Sequence, residues 1–385
     1  MISEYPRRRL LKIIAGGVLS LIGGLFGSSN KLSKLKKTIE HIKINKTSIL
    51  SKISLPETGP WPTEDPFLFC VHHNDNYPAA KDDLSPNVSL SGRHLGNDFS
   101  NKDGWSMYHG QKVPGFPRHP HRGFETLTVV SKGFIDHADS LGASARYGDG
   151  DAQWLTAGDG INHSEMFPLF SQNGNNKLDF FQIWLNLPSY NKRVEPNFEM
   201  YWKDEIPKIS SNLNGNKNVQ VEIITGDYLD FSSPIAPKNS WANNKKNDVA
   251  VWIIRLGRNG NFAIPDTKSG AKRNLYVLKG SSMEIDGQSI PGGSMITLDS
   301  SKNTVIKNFG SKTKILMLQG VPINEPVVKY GPFVMNTRSE IEQAFYDYNR
   351  TEFGGWKWGN SDPVHGTQKE KFAKLISGKI IKPAK

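Results

Sequence analysis

Two short runs decide how this chain is read: His119-Pro120-His121-Arg122-Gly123-Phe124-Glu125 and His163-Ser164-Glu165. Each places two metal-ligating side chains two residues apart. On a β-strand, residues i and i+2 point to the same face. Each run can therefore present a pair of ligands to one cavity. Two such pairs on neighbouring strands would assemble three imidazoles and one carboxylate with open coordination positions. That donor set suits a first-row divalent metal and resembles the facial arrangement of non-haem iron oxygenases.

The surroundings of both runs are strand-like. The first precedes an apolar run from Thr126 to Val130 that ends near Gly133. The second follows Ala152 to Leu155 and the turn Gly158-Asp159-Gly160, where glycine supplies positive φ. The histidines are unevenly spread. His72 to His163 fall in one stretch, His41 and His365 lie in the tails, and the segment between His163 and His365 has none. Metal chemistry thus belongs to the first half of the chain.

Further β-branched and aromatic runs recur between turn clusters: Val219 to Ile224, Val249 to Leu256, Asn274 to Leu278 and Lys314 to Leu318. Strands are expected to dominate. One helix is predicted, where the capping box Thr337-Arg338-Ser339-Glu340 precedes Ile341, Ala344, Phe345 and Tyr348 at helical spacing. The lone Cys70 sits in an apolar run and reads as a small buried hydrophobe.

The net charge of +11 is confined to the ends. Residues 1–54 carry eleven basic and two acidic residues, and residues 367–385 carry six lysines and one glutamate. The body between them is mildly acidic, which argues against a nucleic-acid reader. Basic ends suit peripheral contact with an anionic membrane surface. The N-terminus reads Pro6-Arg7-Arg8-Arg9-Leu10-Leu11-Lys12 and continues into an apolar, glycine-containing stretch from Ile13 to Phe26. This layout resembles a twin-arginine export signal. The expectation is an exported protein, periplasmic or held at the outer face of the cytoplasmic membrane by an uncleaved N-terminus.

Several separated blocks together resemble the pirin family. They are the run from His119 to Thr126, Asp136-His137-Ala138-Asp139-Ser140-Leu141-Gly142, Gly150 to Gly158, Ile161 to Met166, Asn324 to Val328 and Tyr330 to Thr337. The similarity spans about Trp61 to Trp358. The resemblance implies an all-β bicupin, two antiparallel β-barrels with a short C-terminal helix. It implies a single Fe(II), or another first-row divalent metal, held by His119, His121, His163 and Glu165. It leaves Glu125 either beside the ligands or in a structural hydrogen bond, and His137 either beside the ligands or as a satisfied core histidine. The implied organisation is a signal over 1–30, a basic linker over 31–60, a metal-bearing cupin over 61–190, a metal-free cupin over 191–358 and a basic tail over 359–385. Aligning the two halves on Gly133 with Gly280, and on Gly150 with Gly293, sets Asp266 and Lys268 against His119 and His121. It sets Ile306 and Asn308 against His163 and Glu165. An isoleucine offers no lone pair, so the second barrel reads as a degenerate repeat.

Pirins include transcription cofactors and enzymes that open quercetin with dioxygen. The resemblance therefore implies a dioxygenase with an enolic or phenolic small-molecule substrate, Glu165 acting as ligand and proton acceptor. The alternative is an iron-binding, redox-sensing partner protein. The chain departs from short pirins between Asp75 and Trp105, a polar connection expected to act as a lid or binding loop at the mouth of the metal cavity.

Overall fold

A computed structural model describes residues 47–210, 218–267, 269–278, 283–310 and 312–384. The export-signal segment, most of the basic linker, Lys268 and Gly280 lie outside these residues. The first barrel begins after β1 (Ile49–Ser54) with β2 (Phe67–Tyr77), β3 (Gly115–His121), β4 (Phe124–Lys132), β5 (Phe134–Asp139), β6 (Ser144–Gly148), β7 (Ala152–Thr156), β8 (Ile161–Met166), β9 (Asn176–Asn186) and β10 (Asn197–Tyr201). One of its sheets runs β10-β7-β4-β9-β2. The facing sheet runs β6-β5-β8-β3 and is extended by two strands from the C-terminus. The second barrel repeats the plan. A seven-stranded sheet includes Val219–Thr225, Ala250–Leu256, Lys272–Val277, Ser294–Leu298 and Thr313–Gly320. It faces a four-stranded sheet that includes Asn261–Ile264 and Thr304–Asn308.

Period-two alternation explains how the barrels pack. On β4, Leu127 and Val129 point toward the second barrel and join Val251, Ile253, Leu316 and Leu318 in a shared apolar layer. Val130 on the opposite parity joins the interior of the first barrel. On β2, Cys70 faces the shared layer and Tyr77 the interior. Cys70 is fully buried, as its apolar setting predicts. Burying each large aliphatic side chain of that layer contributes about 1.5–3 kcal/mol, enough to hold two barrels as one body.

The predicted helix, here α1 (Arg338–Thr351), starts at the predicted capping box. Thr337 accepts from the Glu340 backbone, and the Glu340 carboxylate accepts from the Thr337 backbone. Ile341 and Ala344 bury against Phe333 and Phe353.

The ends of the chain differ from the linker and tail that the sequence suggests. β1, within the expected linker, pairs antiparallel with Ser294–Leu298 of the second barrel. Phe372–Lys374, within the expected basic tail, pairs with β6 of the first barrel. The described termini thus cross over, each completing the other half's sheet. Lysine-rich composition hid these strands because an edge strand tolerates charged, exposed side chains, and β1 is exposed along nearly its whole length. β10 also belongs to the first barrel, past the expected boundary at 190.

Candidate metal centre

β3 and β8 lie side by side, with His119 directly opposite His163. The pairing carries one extra β3 residue between Phe116 and His119, opposite Glu165 and His163. This bulge holds Pro117, which lacks the N–H a regular ladder would demand. It lets Phe116, three residues before His119, share its face. Gly123 then turns the chain into β4 at φ +85°; a Cβ there would fall 2.0 Å from the Val334 carbonyl oxygen. Only glycine fits, and the turn brings the Val328–Met335 hairpin beside the site.

The ligand atoms of His119, His121 and His163 all lie within 4.8 Å of one another, the one such grouping of His, Cys, Asp or Glu found among the described residues. Their ring centroids are separated by 4.4–4.9 Å. Burial pulls the His119 imidazole down to about 4, and takes His121 and His163 well below the usual imidazole range. All three are therefore neutral at physiological pH and keep a lone pair to donate. The Nδ1–H of His119 donates to the Pro117 carbonyl at 2.8 Å, which leaves Nε2 as the free donor atom. His163 is fully buried, and neither ring nitrogen has a hydrogen-bond partner among the described residues. A buried, unpaired imidazole is costly unless something binds it. These residues fit a divalent metal by chemistry and by unsatisfied valence.

Glu165 stands beside the trio. Its Oε2 is 4.0 Å from His163 Nε2. The carboxylate reaches across the barrel to the opposite sheet, where Thr128 Oγ1 lies 3.1 Å from Oε1 and Gln182 Nε2 3.3 Å from Oε2. Burial raises its proton affinity. Thr128 and Gln182 were not singled out from sequence. A polar residue inside the apolar run Phe180-Phe181-Gln182-Ile183-Trp184 was the available signal.

Glu125 lies elsewhere. It shares the β4 face of Leu127 and Val129, opposite to Thr128, and its carboxylate accepts from Thr156 at 2.7 Å and from Ser240 of the second barrel at 2.6 Å. Strand parity thus gives it the structural role of the two left open. His137, opposite Glu165 in the β5–β8 pairing, has its ring 5.5 Å from His163 and 3.2 Å from Asp139. His365, which the sequence placed in a tail, donates to the His137 carbonyl at 2.7 Å. Buried Arg146 pairs with Asp136 at 2.6 and 2.7 Å and anchors the same C-terminal stretch through the Gly366 carbonyl.

Among the described residues, the second barrel has no counterpart. Its register sets Phe262 opposite Ile306, and Ile264 opposite Thr304. Phe262, not Asp266, therefore stands where His119 stands, because the sequence alignment slipped by four residues. Ile306 is buried among apolar side chains, and Asn308 spends its amide on the Leu256 and Gly257 carbonyls. The segment after Asp75 folds against the first barrel, with Trp105, Met107 and Tyr108 in its interior layer.

Residues 63–185 match the Pirin family and residues 251–354 match the Pirin C-terminal cupin domain. The chain belongs to the pirin family. This pirin is 31% identical to human Pirin over 252 residues, covering 64% of this chain and 80% of that one. It is 35% identical to a pirin-like protein of Solanum lycopersicum over 237 residues, covering 61% of this chain and 75% of that one. A Pseudomonas aeruginosa protein with the provisional name quercetin 2,3-dioxygenase is 31% identical over 243 residues, 63% of this chain and 80% of its own. Among solved structures, a quercetin 2,3-dioxygenase from Acinetobacter baumannii superposes with a TM-score of 0.63 at 26% identity, covering 80% of this chain and 99% of that one. The bicupin architecture follows from both the strand layout and this likeness.

Proposed function

We propose that this pirin is an Fe(II)-dependent dioxygenase whose substrate is a flavonol or a related enolic or phenolic compound. The observation that carries the reading is the trio of neutral imidazoles, with His163 unpaired on both nitrogens. The names of the Pseudomonas and Acinetobacter relatives support it. His119, His121, His163 and Glu165 would hold the metal, which supplies Lewis acidity toward an enolate oxygen and, as iron, the reactivity toward dioxygen.

The chain's own residues do the rest. Glu165 takes the proton of the substrate hydroxyl on a carboxylate oxygen, the one that lies 4.0 Å from His163 Nε2. Thr128 and Gln182 hold that carboxylate on the side facing the imidazoles. Trp184 packs 5.5 Å from the His121 ring and 4.4 Å from Phe124, and Phe116 lies 6.3 Å from His119. These rings exclude water and offer flat faces to an aromatic substrate. Location in the cell envelope, reached through Arg7-Arg8-Arg9, is part of the same proposal.

The test is to load the full chain anaerobically with Fe(II), add quercetin and then air, and follow the loss of the flavonol absorbance. Turnover that disappears in Glu165→Gln while metal stays bound supports the reading. Absence of turnover with iron and with each other first-row divalent metal overturns it.

A further inference from the structure

A cleft of about 1740 Å³ runs along the outer edge of β2, between the barrels. The rings of His119, His121 and His163 do not line it, but Phe69 and Phe116 do. Phe116 is in ring contact with His119, and Phe69 stacks at 4.6 Å on Trp184, which packs against His121. The cleft thus borders the metal centre along two aromatic rings.

Phe69, Val71, His73 and Asp75 alternate along one face of β2, and all four line the cleft. Val71 pairs directly with Gln182, the partner of Glu165. His73 lies two residues farther along, about 7 Å at the usual strand rise. Its ring is sandwiched: stacked on Phe180 at 4.5 Å, edge-on to Tyr108 at 4.8 Å and 5.9 Å from Phe116. It is buried, at 8% exposure.

A hydrogen-bonded chain sets its protonation. The Tyr108 hydroxyl donates to Asp75 Oδ2 at 2.7 Å. Having spent its proton there, the same oxygen accepts from His73 Nδ1–H at 2.9 Å. Asp75 Oδ1 accepts from the Ser106 backbone at 2.9 Å, which fixes the far end. Nδ1 is thus the protonated nitrogen, and Nε2 carries the lone pair. No described protein group bonds Nε2. Burial pulls His73 down to about 3, so the ring stays neutral, and raises Asp75 to about 6, still ionised at neutral pH.

Tyr108 holds this place at the cost of a left-handed backbone, φ 57°. Its backbone exchanges both hydrogen bonds with Asp98 at 2.8 Å, and Asp98 is in turn paired with Arg93 at 2.9 Å. The segment after Asp75 therefore delivers Tyr108 to His73. Such strain in a non-glycine residue persists where the surroundings over-determine it, often at sites that act on ligands.

We infer that His73 reads the substrate: its Nε2 accepts a hydrogen bond from a hydroxyl of a planar, polyhydroxylated aromatic compound whose other end lies at the metal centre. Tyr108 and Asp75 are the positioning residues. This rests on the dioxygenase reading for the identity of the ligand, and its test is separable from that reading. The probes are quercetin and analogues that each lack one hydroxyl, bound to the metal-loaded full chain under nitrogen and followed by tryptophan fluorescence. One analogue should bind the wild type about tenfold more weakly than quercetin, the scale of one neutral hydrogen bond. His73→Phe and the shape-preserving Tyr108→Phe should both bring quercetin down to the level of that analogue, with metal content unchanged. Equal binding of all analogues by the wild type, or equal weakening of all ligands by both variants, overturns the inference. With air admitted, Tyr108→Phe should raise KM for quercetin and leave kcat nearly unchanged. Discrimination in binding with no turnover by any metal-loaded form would sink the dioxygenase reading and leave His73 standing. Turnover with kcat/KM shifted by one common factor for every ligand would do the reverse.

Discussion

In the first barrel, Thr128, Gln153 and Gln182 form a polar row across three paired strands, facing the strands that carry the imidazoles. In the second, the interior is filled by Ile223, Trp252, Ile254, Leu275, Val277 and Met317, and the pair facing them is Phe262 with Ile306. The strand plan is the same, so the fold does not demand a metal. What separates the halves is the choice of residue at a few inward positions. An apolar interior stabilises its barrel by burial alone. The first barrel keeps unpaired imidazoles and a buried carboxyl, groups that cost stability until a ligand binds them.

The largest expected break in this contrast is loss of the metal. His121→Ala should take metal content, measured by plasma mass spectrometry, from near one equivalent per chain to near zero. Full retention would mean that the ion sits elsewhere. Next in size, Ile306→Asp puts an unpaired carboxyl into the second barrel. It should cost several kcal/mol, on the order of 3–5, because among the described residues the interior around Ile306 is apolar, with no donor row such as the one opposite Glu165. A urea midpoint within error of the wild type would show that the second interior is more polar than described.

The contact between the barrels gives a pH-dependent test. Burial raises Glu125 from 4.5 to about 7 against the opposing effect of its Ser240 and Thr156 hydrogen bonds. A carboxyl whose folded pKa is raised binds its proton more tightly when folded. Its penalty is absent below about 4.5, grows as pH rises toward 7 and is constant above. That amounts to about 3 kcal/mol at most. Glu125→Gln should flatten the fall in urea stability between pH 4.5 and 7 relative to the wild type. Parallel profiles would show that Glu125 is not held this way. Smallest, Thr128→Val removes one hydroxyl from the polar row and should lower stability by about 1 kcal/mol. If the iron-loaded chain turns over quercetin as proposed, the substitution should lower kcat more than it raises KM, because Thr128 touches the carboxylate and not the ligand trio. No change in either would remove the row from the account.

Much of this site was legible in the sequence because its information is local. His119 with His121, and His163 with Glu165, are i, i+2 pairs, and a strand turns that spacing into a shared face. The helix at Thr337 was legible for the same reason, since a capping box spans four residues. The partners of Glu165 were not, because Thr128 and Gln182 reach it only when the barrel closes. The role of Glu125 required knowing which face of β4 looks inward. Closure also decides the register that puts Phe262 against Ile306, and it supplies the open β6 edge that recruits Phe372–Lys374. His365 looked like a tail residue until that edge was filled.

The central claim is that three imidazoles and a carboxylate of the first barrel share one ion. X-ray absorption at the iron edge of the Fe(II)-loaded full chain tests it most directly. The account predicts a light-atom shell with the outer scattering of three imidazoles, reduced to two in His163→Ala. A spectrum with one imidazole or none, or one unchanged by that substitution, would contradict it.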